Sequence, residues 1–204
     1  MIMSKKLFVL TISLLFFLVS CGPKAMRGGP GTDNTKLDEK ALSTKLDRMD
    51  IEYLVKENTD ALFNSNFWKQ QIEYSKEEPP VIAILPIQND TAEHLDDEMA
   101  ILLSSIETSL VNTGKINVVS RERQQQMVAE LGIQQGATFD PASAGRLGKQ
   151  LGAKYYVTGK LGAVAERLKD MRRMQYNLFI QILEVETSMV KFQNEAVRSK
   201  ALKK

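Results

Sequence analysis

The chain has 204 residues, with 27 basic and 25 acidic side chains for a formal charge of +2, one cysteine and one histidine. A near-neutral chain without a polybasic block carries no electrostatic footprint for nucleic acid and none for gripping an anionic membrane. A lone thiol excludes an internal disulfide, and one cysteine with one histidine leaves zinc without a ligand set.

Lys5 and Lys6 precede residues 7–19, which are apolar except for Thr11 and Ser13, and small residues follow. A positive n-region, a short apolar h-region and a small-residue cut site make a secretory signal. The apolar run is too short to span a bilayer, which takes about 20 residues. The ending Leu18-Val19-Ser20-Cys21 resembles the lipobox of bacterial lipoproteins. That resemblance implies a diacylglycerol on the Cys21 thiol, cleavage after Ser20 and acylation of the new amine. The alternative is an ordinary signal with an incidental cysteine. Loss of Lys5 and Lys6 with the leader leaves 25 basic against 25 acidic side chains. Acyl chains would then do the anchoring, at roughly 0.8 kcal/mol per buried CH₂.

Residues 22–34 (GPKAMRGGPGTDN) are rich in Gly and Pro with little to bury, the composition of a disordered tether. The expected organisation is a signal over 1–20, lipidated Cys21 and tether over 21–44, and a globular domain over 45–204 with a helical arm at 45–72. From residue 36 to about 72 the chain reads as helical, with a break near Asn64-Ser65-Asn66. Leu42, Leu46, Met49, Tyr53 and Val55 lie near helical spacing, and Leu62, Phe63, Phe67 and Trp68 form a second apolar cluster. This arm either lies on the domain as a lid or serves as a separate binding helix.

Glu77-Glu78-Pro79-Pro80 punctuates the chain, and residues 81–87 then read as a buried strand. Asp90 with Glu93 is a capping-box pattern opening a helix. Leu95, Met99, Leu102, Leu103, Ile106 and Leu110 follow its 3.6-residue period to the stop at Asn112-Thr113-Gly114. A short strand at 116–119 leads to Ser120, a cap for a helix over 121–131 that ends at Gly132. Asp140-Pro141 opens another helix, with Ala144, Leu147 and Leu151 inward and a stop at Gly152. Long strands are expected over 154–164 and 174–185. Glu186-Thr187-Ser188 turns into a last strand, 189–197, fraying into the basic tail that begins at Lys200. The order predicts an α/β (α+β) fold: a mixed four- to five-stranded sheet with packed helices in one globular domain after a lipidated tether.

The chain shows little chemistry. His94 stands beside Glu93, Asp96 and Asp97, which reads as a solvated acidic helix start rather than a metal site. There is no nucleophile elbow, and the pairs Gly148…Gly152 and Gly159…Gly162 do not make a phosphate-cradling loop. Gly152 reads as a helix stop, and Gly159 and Gly162 as strand positions of close packing or bending. The expectation is a non-enzyme without metal, cofactor or small-molecule substrate. Arg167, Lys169, Arg172 and Arg173 form the densest basic spot (ERLKDMRRM). It is either a solvated hairpin tip or a contact surface for an acidic partner or glycan.

The runs VIAILPIQNDT, Asn112-Thr113-Gly114-Lys115-Ile116-Asn117-Val118-Val119-Ser120 and Leu147-Gly148-Lys149-Gln150-Leu151-Gly152-Ala153-Lys154-Tyr155-Tyr156-Val157 together resemble the LpoB-type lipoproteins. The similarity covers about residues 45–199, and Val185-Glu186-Thr187-Ser188 resembles that family's final hairpin with Ser188 in place of the usual Gly. Parts also resemble the periplasmic domains of TolB and of the curli secretion lipoprotein CsgG. The resemblance implies a palmitoylated outer-membrane lipoprotein facing the periplasm, which activates a class A penicillin-binding protein in peptidoglycan synthesis and so bears on cell wall and cell shape. The other implied role is an envelope scaffold or secretion accessory. Gly22 after the lipidated position agrees with outer-membrane sorting by the enteric rule. A tether of 13–25 residues reaches roughly 45–90 Å extended and about 20–30 Å as a coil, shorter than the Pro-rich linker of enteric members.

Overall fold

A computed structural model describes residues 28, 32, 34, 36, 37, 39–130 and 141–203. The signal segment, Cys21, most of the Gly/Pro-rich stretch, Leu131, Gly132, Asp140 and the side chain of Ala144 lie outside the described residues. The chain divides into two compact units, Met1–Lys40 and Ala41–Lys204. In the first, Gly28 and Asn34 form an isolated parallel bridge. The second unit carries the fold.

Helix α1, Arg48–Asn64, opens with a reciprocal cap. The Asp47 carboxylate accepts the Asp50 N–H at 3.1 Å, and the Asp50 carboxylate accepts the Asp47 N–H at 3.1 Å. The helix therefore begins at Arg48 rather than near Lys36, because these carboxylates satisfy the first free N–H groups there. Ser65 ends it as expected: its N–H donates to the Leu62 carbonyl, and its hydroxyl accepts from the Trp68 N–H. A turn at Asn66–Trp68 and a π-helical turn at Lys69–Glu73 follow. The apolar stripe expected on this arm is corrected in part. Leu46, Val55, Leu62 and Trp68 are buried as expected, but Leu42 is 78 % exposed and Met49 and Tyr53 face outward, and Ile51 and Leu54 are buried beside Asp50, Asn58 and Thr59. Polar groups sit on the buried face because α1 packs on polar positions of the last strand.

Strand β1 is Val81–Ile84, and β2 is Gln88–Asn89. The single strand expected over 81–87 is interrupted where Pro86 has no N–H to give to the ladder. Helix α2, Asp96–Val111, starts later than Asp90. The capping box read there is absent: the Asn89 side chain accepts the Thr91 N–H, and the Thr91 hydroxyl accepts the Glu93 N–H. Local side-chain turns of this kind compete with helix initiation. The stripe on α2 is as read, with Leu102, Ile106 and Leu110 buried behind buried Leu95. These four side chains contribute about 6–12 kcal/mol of gross burial.

Strand β3 is Asn117–Val118, α3 is Arg121–Glu130 and α4 is Pro141–Gln150. Gly152, at φ 67°, closes α4, and the Ala153 N–H reaches back to the Gly148 carbonyl at 2.9 Å. Strands β4, Tyr155–Leu168, β5, Met171–Glu184, and β6, Val190–Lys203, have 14 residues each. The last strand does not fray at 197; it stays paired with β5 to the Met171–Lys203 rung. Ser188, where the resembled family has Gly, takes φ 56°.

The sheet has six strands in the order β3-β1-β4-β5-β6, with β2 beside β4. The β1–β3, β1–β4 and β2–β4 pairs are parallel, and the β4–β5–β6 pairs antiparallel. One face carries the main core, where Ile82, Ile84, Tyr155, Leu161, Leu178 and Ile182 meet α1 and α2. On the other face Ala83, Leu85, Tyr156, Leu183 and Val185 meet Leu147 of α4. Gly159 is required where β4 passes β5, since a Cβ there would stand 2.1 Å from the Phe179 carbonyl oxygen.

Candidate partner-binding surface

The β4–β5 hairpin closes through Lys169 and Asp170 after the Leu168–Met171 rung. Side chains directly opposite on an antiparallel pair share a face, with Cβ atoms about 4.5–5.5 Å apart. Arg167 faces Arg172, and Arg172 faces Leu202 of β6, so two guanidinium groups and a leucine make one row. The neighbouring rung is neutralised: Arg173 donates to Glu166 Oε2 from Nη2 at 2.7 Å and from Nε at 3.1 Å. Of the four basic residues singled out in sequence, the fold thus brings Arg167 and Arg172 together, leaves Lys169 at the turn, and turns Arg173 to the other face. Lys203, opposite Met171, adds a cation at this end.

One row inward, Lys200 lies opposite Met174 and is buried. Its Nζ donates to the Lys45 carbonyl at 2.8 Å, to Asp50 at 2.8 Å and to Asp47. Burial works against the Lys200 charge, but the hydrogen bonds and charges of Asp47 and Asp50 outweigh it and hold its pKa above the ordinary value. Burial likewise opposes ionisation of Asp47, yet the bonds from Lys200 and Asp50 hold its carboxyl below its usual range. Arg198 reaches Asp50 at 3.3 Å and stacks on Tyr53 at 4.5 Å. Further along, Asn58 donates to the Leu178 carbonyl at 3.1 Å and accepts from Asn194 at 3.1 Å. Buried Tyr176 contacts the Thr44 carbonyl and Glu93, each at 3.1 Å; burial and then Glu93 push its phenol well above the usual value. This polar seam fastens α1 to the sheet. Reading residues 200–204 as a tail concealed it, although the Asp47…Asp50 spacing was a usable signal.

Two other surfaces are open. A groove of about 880 Å³ runs between α1 and α2, with Val55, Thr59, Phe63, Ile101, Ser105 and Thr108 among its lining. The back of β5–β6 bears a polar ladder, Gln175 to Ser199, Asn177 to Glu195 and Gln181 to Gln193. His94 is exposed in the loop ahead of α2. Among the described residues, no three His, Cys, Asp or Glu side chains come together to hold a metal, and no helix is long and apolar enough to cross a membrane.

A family model described as peptidoglycan-synthase activator LpoB matches residues 50–197. The chain belongs to the LpoB family. That span runs from the start of α1 to within β6, so it takes in every layer of the fold. Among solved structures, the LpoB C-terminal domain from Escherichia coli is 16% identical, with 74% of this chain and 99% of that chain covered and a TM-score of 0.54. The LpoB C-terminal domain from Salmonella enterica is 14% identical, covering 73% of this chain and 98% of that one, at 0.53. Lipoprotein GNA1162 from Neisseria meningitidis is 10% identical, covering 60% and 84%, at 0.50. These likenesses establish a shared fold. A comparison with curated proteins returns no match.

Proposed function

We propose that this LpoB-family chain is an outer-membrane lipoprotein whose domain faces the periplasm, where it binds and activates a class A penicillin-binding protein without catalysing a reaction itself. The observation that carries this reading is the family match over residues 50–197, a family described as activating peptidoglycan synthases. The signal ending at Cys21 supports export and lipidation. In this organisation residues 1–20 are removed, 21–44 form the lipidated tether, and 45–204 form the working domain with its arm at 45–72. Activation requires that the domain bind one state of the synthase more tightly than another, since equal affinity shifts nothing.

The test is direct. Adding the domain to class A synthases of the same organism should raise glycan polymerisation or cross-linking, and no response from any of them would refute the proposal. Mass spectrometry of the mature N-terminus should find acyl groups on the Cys21 sulfur and amine. An unmodified cysteine would remove the anchoring half while leaving the activation half standing.

A further inference from the structure

We infer that the Arg167–Arg172 end of the three-stranded hairpin rests on an anionic phospholipid surface and seats the domain against the membrane to which its N-terminal segment leads. From the proposed function this takes only that the chain before Ala41 runs to a membrane.

Charge is the first ground. Arg167, Lys169, Arg172, Lys203 and Lys45 are exposed and make no ion pair among the described residues, whereas Arg173 is neutralised by Glu166. Asp47 and Asp50 are engaged by Lys200 and Arg198, while Asp170 at the turn and Glu93 beside Tyr176 stay without an ion pair among the described residues. Like charges directly opposite, as at Arg167–Arg172, destabilise a strand pair unless an anion lies between them. In sequence Arg167, Lys169 and Arg172 stand close together while Lys45 and Lys203 lie far off, with no polybasic block, which is why the composition argued against a membrane grip. The fold assembles them on one end.

Position is the second ground. The chain enters the folded unit here, with the Thr44 carbonyl on the Tyr176 hydroxyl and the Lys45 carbonyl on Lys200. From this end α1 runs away along the sheet, meeting Arg198 at Asp50 and Asn194 at Asn58. The tether therefore leaves from the basic end.

Apolar exposure is the third ground, and it separates a lipid surface from an acidic protein loop. Leu202, 47 % exposed, stands in the Arg167–Arg172 row, and Leu42, three residues before Lys45, is 78 % exposed. Aliphatic side chains that enter the headgroup boundary while arginines stay at its charged rim are the pattern of an interfacial contact.

The probe is the chain from residue 21 onward carrying Cys21→Ser, so that neither signal nor acyl chain binds lipid. It should sediment with vesicles of phosphatidylglycerol and phosphatidylcholine in equal parts, stay free of phosphatidylcholine alone, and be released by high salt. Arg167→Ala with Arg172→Ala should weaken binding about 25-fold, at roughly fivefold per cation. Lys115→Ala, beside the β3 edge, should leave it unchanged, and circular dichroism should show all variants folded. Absence of salt-sensitive binding, or equal binding by the double variant, overturns the inference. If the double variant keeps vesicle binding but no longer stimulates a synthase in detergent, the end belongs to an acidic protein and the lipid assignment falls. The vesicle assay contains no synthase, so its outcome is independent of whether activation is confirmed.

Discussion

Two neighbouring rows of the β4–β5–β6 hairpin carry basic side chains and use them in opposite ways. In the inner row Lys200 is buried and bonded to two carboxylates and a carbonyl. In the outer row Arg167 and Arg172 face one another in solvent with no carboxylate between them. Burial and pairing, not charge, decide which cation holds the fold and which stays available to a ligand. The inner row fixes the helical arm, and the outer row is free for an interaction outside the domain.

The largest expected effect comes from breaking the inner row. Lys200→Met leaves the buried Asp50 carboxylate short of its main partner and should lower stability by about 3–5 kcal/mol in urea unfolding. A midpoint unmoved by this change would mean that the seam does not hold α1. The same row should respond to pH at both extremes. Asp47 lies below its ordinary 3.8, so its contribution is present above that value and is lost as pH falls through the lower folded value. Lys200 lies above its ordinary 10.5, so its contribution is complete below that value and is lost as pH rises through the higher folded value. Thermal melts across pH should therefore show this contribution flat between those two values and falling outside them.

Asp47→Ala removes the helix cap along with one Lys200 partner and should cost about 0.5–2 kcal/mol, read as a lower Tm. The outer row should answer with the opposite sign. Arg172→Glu exchanges a like-charge rung for an oppositely charged one and should stabilise the domain by roughly 0.2–1 kcal/mol. Stability gained together with interaction lost would separate the two rows most sharply.

Where burial is apolar and periodic, the sequence was legible. The α2 stripe, the break at Ser65 and the stop at Gly152 all stand where their spacing put them. The arm was half misread because its buried face mixes Ile51 and Leu54 with Asp50, Asn58 and Thr59, so hydrophobicity alone found Leu46, Val55, Leu62 and Trp68 but also put the exposed Leu42, Met49 and Tyr53 on the stripe. Lys200 was read as part of a fraying tail because lysine is seldom buried, and its partners lie some 150 positions away. The basic end was half legible. Arg167, Lys169 and Arg172 stand close in sequence, but Lys45 and Lys203 join them only through strand pairing and chain entry. Cys21 is proposed from its sequence context alone.

The seam also has a temporal consequence. Helix α1 is the first regular element of the domain to leave the ribosome, and the strand that supplies Asn194, Arg198 and Lys200 is the last. Until that strand is made, the apolar face of the helix can meet α2 and β5, but its polar face lacks partners and its acidic start has no counter-ion. The seam is therefore closed only by the last described strand, and cutting the chain ahead of Lys200 would leave Asp47 and Asp50 without their lysine.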